Sequence, residues 1–160
     1  MLIELVKPEN PIHAVDRVNK ISRHIEDFLL CRLNAAEAYE CSIPANAAGL
    51  TQRSGYQDLR LVHTASERVF YIDPKVYKLG SETSSFRSFY FEPKFETNKI
   101  LDNASHLIVG IAHSGKLDGR WHLDTWKVID LINFRVRLKA VFQLSNRELY
   151  RDDTVLGGSQ

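Results

Sequence analysis

Two short β-forming segments, Leu59 to His63 and Arg68 to Asp73, are separated only by the polar connection Thr64-Ala65-Ser66-Glu67. Apolar runs on either side of a connection this short predict two adjacent antiparallel strands. Pairing them settles which acids can meet. Asp58 stands just before the first strand and Asp73 at the end of the second, so the hairpin brings one near the other. Strand side chains alternate faces, so Asp73 and Lys75 point the same way while Pro74 points away.

Around this hairpin the chain supplies the parts of a mixed α/β layer. Asn10-Pro11 reads as a helix start, because asparagine caps free amides and proline suits the first helical position. Ile12, Val15, Val18, Ile21, Ile25, Phe28, Leu29 and Leu33 then recur at helical spacing, predicting an amphipathic helix over about residues 11 to 34 that packs on a sheet. Asn34 to Tyr39 either prolongs it or forms a second short helix, and residues 44 to 55 have the composition of a loop. Lys78 to Arg87 is polar, Ser88 to Phe95 reads as a strand, and Thr97 to Ala104 as a short helix. His106 to Ala112 is an apolar run suited to a buried central strand, reached by a parallel crossover. Trp121 to Leu131 and Phe134 to Leu144 read as two further β segments with a tight connection near Asn133.

With 160 residues, 44% of them hydrophobic, the chain suits one domain with a real core, expected over residues 1 to 153 with 154 to 160 as a loose tail. Charges interrupt every apolar run before membrane thickness is reached, and no signal peptide is evident, so a soluble, cytoplasmic protein without a membrane partner is expected. Cys31 and Cys41 lack metal-like spacing and are expected as reduced, packed thiols. Histidine is not arranged for zinc, and neither a Gly-rich phosphate loop nor a nucleophile elbow occurs. The net charge of +1 hides an uneven distribution. Arg135, Arg137, Lys139, Arg147 and Arg151 stand against Glu148 alone in residues 135 to 151, a stripe able to bind phosphates.

The chemistry of the acidic pair points to a hard cation. Mg²⁺ takes oxygen ligands and is usually held by one or two carboxylates together with a substrate phosphate, a demand Asp58 and Asp73 meet. Lys75 can orient an attacking water and stabilise charge growing on the phosphate. Such a trio suits phosphodiester hydrolysis.

Gly55-Tyr56-Gln57-Asp58, followed by the apolar strand ending in Asp73-Pro74-Lys75, resembles the PD-(D/E)XK nuclease superfamily. Its pattern is an acid after a turn, then an acid-any-lysine at the end of an apolar strand. The match departs from the pattern at Gln57, where the family often has proline. The order of helix, strands, polar excursion and further strand extends the resemblance over about residues 12 to 113. It implies an α/β restriction-endonuclease-like fold, a mixed central β-sheet flanked by helices. It also implies a short type II restriction endonuclease, Mg²⁺-dependent, acting on double-stranded DNA at a palindromic site as a homodimer. A structure-specific nuclease, such as a junction resolvase or a repair nicking enzyme, and a non-catalytic DNA-binding module are the alternatives.

Further candidate residues follow from the same reading. Glu92-Pro93-Lys94 also ends an aromatic strand with acid-Pro-Lys, so Glu92 and Lys94, with Asp73 as first acid, form an alternative register. A helix acid near the metal is common in such nucleases; Glu26 is the candidate, against an ordinary solvated glutamate. Lys78, Ser84, Ser85 and Arg87 follow the catalytic strand and are candidates for reading bases, Arg87 by pairing with guanine. Asn98, Lys99, Arg135, Arg137, Lys139, Asn146 and Arg147 are candidates for DNA contact, mainly to phosphate. The aromatic residues read as core, with Trp121 beside Arg120 as the one candidate for base stacking.

Overall fold

A computed structural model of the chain describes residues 2–84 and 95–134. Its elements, in order, are helix α1 (Leu2–Leu5), a 3-10 turn (Pro11–Ala14), helix α2 (Val18–Asn34), and strands β1 (Tyr39–Ser42), β2 (Leu59–His63), β3 (Arg68–Lys78), β4 (Ala104–Leu117) and β5 (Arg120–Asp130). The strands form one sheet in the order β1-β2-β3-β4-β5. β3 and β4 run parallel, and every other pair is antiparallel. This is an α/β restriction-endonuclease-like arrangement, a mixed sheet with few helices.

The core lies between the sheet and the N-terminal helices. Ile21, Ile25 and Leu29, spaced four apart on α2, are buried against Leu59, Leu61, Ile72, Val109 and Ile111 of the sheet. Four-residue spacing places them on one stripe of the helix, and period-two spacing places their partners on one face of the strands. The opposite face of β3 carries Tyr71, Asp73, Lys75 and Tyr77.

The expected helix over residues 11 to 34 is two pieces. Asn10 Oδ1 accepts the Ile12 amide at 3.0 Å and starts a single 3-10 turn, after which Val15 and Arg17 adopt extended backbone. Tertiary contacts hold the break. The Val15 carbonyl accepts the Trp121 indole N–H at 2.8 Å, and Lys116 pairs with Asp16 at 2.8 Å. Trp121 is therefore buried in the core, not presented for stacking. Val18, the first residue of α2, is more exposed than the buried stripe that follows it.

No helix continues α2 over 34 to 39. The Asn34 side chain donates to the Cys41 carbonyl and accepts its amide, both at 2.8 Å, pairing with β1 as a strand would. Thr97 to Ala104 is not helical either. Asn98 Oδ1 accepts the Ile100 amide at 3.0 Å, and the Tyr71 hydroxyl accepts the amides of Leu101 and Asp102. Side chains have captured the donors a helix would need. The expected strands before and after the Thr64–Glu67 turn are present, as are the parallel crossover, the strand from Trp121 and the turn near Asn133, where Phe134 N donates to Leu131 O at 2.9 Å.

β3 runs past Asp73 to Lys78. Among the described residues its pairing with β2 ends at Leu59–Ile72, and no strand pairs with that side of β3 from Asp73 onward, where Pro74 stands. β4 and β5 are joined through Asp118 and Gly119, both at positive φ, as a two-residue hairpin of right-handed twist requires. Cys41 is buried, its thiol pushed up to about 11 by burial, whereas Cys31 is exposed and not packed as expected. Among the described residues no helix is long and apolar enough to cross a membrane. The expected strands Ser88 to Phe95 and Phe134 to Leu144, and the 154 to 160 tail, fall wholly or mostly outside the described residues.

Candidate active site

The β2–β3 register determines the centre of the site. Leu59 pairs with Ile72, and one further step sets Asp58 across from Asp73, just beyond the end of the β2–β3 ladder. Asp73 is 2% exposed, and its Oδ2 lies 2.7 Å from Lys75 Nζ. The contact is an ion pair without directed geometry, since that oxygen has no hydrogen-bond partner. Lys75 is about one-third exposed, so the trio opens to solvent on the lysine side.

The acids act on each other strongly. Burial, then the proton shared with Asp73 and that neighbour's charge, push the Asp58 carboxyl up to about 8, while Lys75 pulls it down. Two carboxylates in one partly dry site disfavour joint ionisation, and a cation between them would relieve the repulsion. The buried Asp73 oxygen without a hydrogen-bond partner, facing a second carboxyl, fits a hard divalent ion. Among the described residues no group of three or more His, Cys, Asp or Glu side chains is placed to hold a metal. Two protein oxygens with the remainder from substrate phosphate and water is the pattern typical of Mg²⁺.

Glu26 of α2 is close enough to raise the Asp58 carboxyl by its charge. Its Oε2 is engaged by Arg53 at 3.0 Å, and the same guanidinium bonds Asp27 at 2.6 Å. Burial raises the Glu26 carboxyl. Arg53 thus ties the loop that delivers Asp58 to the helix behind it, a part that sequence reading missed.

Tyr56 forms a wall of the site. Its hydroxyl meets His106 Nδ1 at 3.0 Å and the two rings stack, while burial, then Asp73 and Asp58, push the phenol up to about 12. Burial lowers His106. Neither residue was singled out from the sequence, although Tyr56 belongs to the turn that carries Asp58.

Several expected DNA contacts are differently placed. Lys99 is 1% exposed, and its ammonium donates to the carbonyl of Gln57 and, at 3.5 Å, to that of Gln52. It cannot lie on a DNA surface. The Asn98 side chain is spent on its own turn, donating to Ile100 O at 3.1 Å as well as accepting its amide. Lys78, the last residue of β3, and Ser84 beyond it are exposed, and Ser81 folds back on the Lys78 carbonyl at 2.6 Å. Ser85, Arg87, Glu92, Lys94, Arg135, Arg137, Lys139, Asn146 and Arg147 lie outside the described residues.

Comparison with known proteins gives the geometry a family. The model of the type II restriction enzyme MjaV family matches residues 1–153. The type II restriction enzyme MjaV of Methanocaldococcus jannaschii is 31% identical over 147 residues, covering 88% of this chain. The alignment spans 62% of that relative's length. With an acidic pair and a lysine on the strand edge, and a family match across nearly all its length, the chain belongs to the type II restriction enzyme MjaV family.

Proposed function

We propose that the chain is the nuclease domain of a Mg²⁺-dependent type II restriction endonuclease, cutting double-stranded DNA at a specific, palindromic site. One observation carries the reading: Asp58, Asp73 and Lys75 converge just beyond the end of the β2–β3 ladder, with a buried Asp73 oxygen that lacks a hydrogen-bond partner. The family match and the curated relative's name support the DNA substrate. Residues 1 to 153 are proposed to act as one domain, with 154 to 160 as a loose tail.

Asp58 and Asp73 would hold Mg²⁺, which when bound supplies positive charge to the scissile phosphate and acidity to a water. Lys75, as an ammonium, is a donor only. It orients a water by donating to its oxygen, and it stabilises negative charge gathering on the phosphoryl oxygens. Its ion pair with Asp73 holds it in register. Tyr56 and His106, bonded to each other, limit water on the side of Asp58. Two-fold symmetry of a homodimer would place one such site on each strand of a palindrome.

The test is digestion of a plasmid of known sequence. Discrete fragments with Mg²⁺, none with chelator and none from Asp73→Asn are expected. A plasmid left intact across varied sequences overturns the reading. Preferential cutting of branched substrates would replace it with a structure-specific nuclease, and duplex binding indifferent to both Mg²⁺ and Asp73→Asn would replace it with a binding module.

A further inference from the structure

A fully buried lysine is rare, because removing an ammonium from water is costly unless its donors are taken up. Lys99 is 1% exposed, among the largest side chains wholly inside the protein. It stands on the crossover between β3 and β4, and its donors reach the carbonyls of Gln57 and Gln52 in the loop before β2. The same two segments are joined by Ala47 N donating to Asn98 O at 2.8 Å. Gln57 is itself wholly buried, and both polar atoms of its side chain lack hydrogen-bond partners, so its carbonyl is its polar attachment to Lys99. The next residue is Asp58. β-pairing of this chain segment begins only at Leu59, leaving Asp58 just beyond the ladder.

We propose that Lys99 is a positioning residue of the metal site: its buried ammonium clasps the Gln57 carbonyl and, through that peptide, sets where Asp58 stands opposite Asp73. The inference rests on the metal-dependent nuclease reading and deepens it. Lys99 touches neither acid's reacting oxygen and so is not catalytic. It does for Asp58 what outer partners do for metal ligands generally, holding the ligand's orientation before the ion arrives. Lys75 remains the lysine that faces solvent and substrate.

The measurement is Mn²⁺ affinity, followed by the loss of the free-ion EPR signal on titration into the intact protein without DNA. Lys99→Met, similar in length and lacking donors, is expected to weaken Mn²⁺ binding about tenfold while still folded. Leu5→Ala, which removes a fully buried side chain from α1 where that helix packs on β5, at the other end of the sheet, is expected to lower the melting temperature with Mn²⁺ affinity within about twofold of the wild type. Folded Lys99→Met with wild-type Mn²⁺ affinity overturns the proposal. Wild-type protein that binds Mn²⁺ no better than Asp73→Asn overturns the parent metal site instead. If Lys99→Met does not fold, amine acylation of the wild type followed by mass spectrometry decides. Lys99 reacting at least about tenfold more slowly than exposed Lys78 supports the clasp, and equal rates overturn it.

Discussion

At the residue scale, Asp58 carries the sharpest consequence. Its folded carboxyl sits at about 8, above an ordinary value of 3.8, with burial the first cause and Asp73 the next. The folded, metal-free chain therefore keeps a proton that the unfolded chain releases across that interval. The associated stability is fully present below 3.8 and is lost as pH rises through about 8. Melting of the metal-free protein across this range is expected to show a decline on the order of a few kcal/mol, which Asp58→Asn flattens and added Mg²⁺ opposes. A flat wild-type profile would contradict the buried acid pair. Lys75→Met is expected to lower cleavage by about a thousandfold while leaving Mn²⁺ binding in place, because it removes a donor to developing charge without removing a metal ligand. Single-turnover cleavage measured beside metal titration separates the two effects.

At the element scale, the site depends on segments held by side-chain bonds more than by regular structure. The Tyr71 hydroxyl donates to Asp102 Oδ2 at 2.6 Å and accepts two crossover amides, and Arg60 grips Asp102 through two bonds at 2.7 and 2.8 Å. Arg60 holds the Asp102 carboxyl down to about 2. This bracket fixes the segment that begins β4 and, three residues earlier, carries Lys99. Tyr71→Phe leaves two amides without their acceptor and is expected to cost about 1–3 kcal/mol in urea denaturation. A change under a few tenths would show that water replaces the hydroxyl. In α2, Ile25→Ala removes a fully buried side chain facing the sheet and is expected to cost about 2–5 kcal/mol. The same denaturation series checks it.

At the scale of the whole molecule, the proposed homodimer predicts sedimentation at twice the 18.3 kDa chain mass, and duplex affinity that falls steeply with salt. A monomer with salt-insensitive binding would remove the symmetry argument for a palindromic site. Much of the design is legible in the sequence, because β pairing across a four-residue turn is local: the hairpin, its facing acids and the Asp73-Lys75 face follow from periodicity alone. The central strand follows likewise from its apolar content; the parallel crossover is expected from a strand, helix and strand succession, and the parallel pairing is present without that helix. Side-chain bonds to the backbone, some local and some from far along the chain, account for the errors. The break at Val15–Arg17 is held by Trp121 and Lys116, about a hundred positions away, and the 97 to 104 segment is drawn out of helical geometry by Tyr71 and Asn98. Lys99 looks in the sequence like any surface cation, since nothing near it in the chain announces the carbonyls that receive it. The sequence alone thus determined the facing acids Asp58 and Asp73 and the face that Asp73 shares with Lys75, through short-range pairing and alternation. Only the tertiary structure decided which lysine stays open to solvent beside Asp73 and which is buried on the Gln57 carbonyl, because burial and hydrogen-bond partners come from segments distant in the chain.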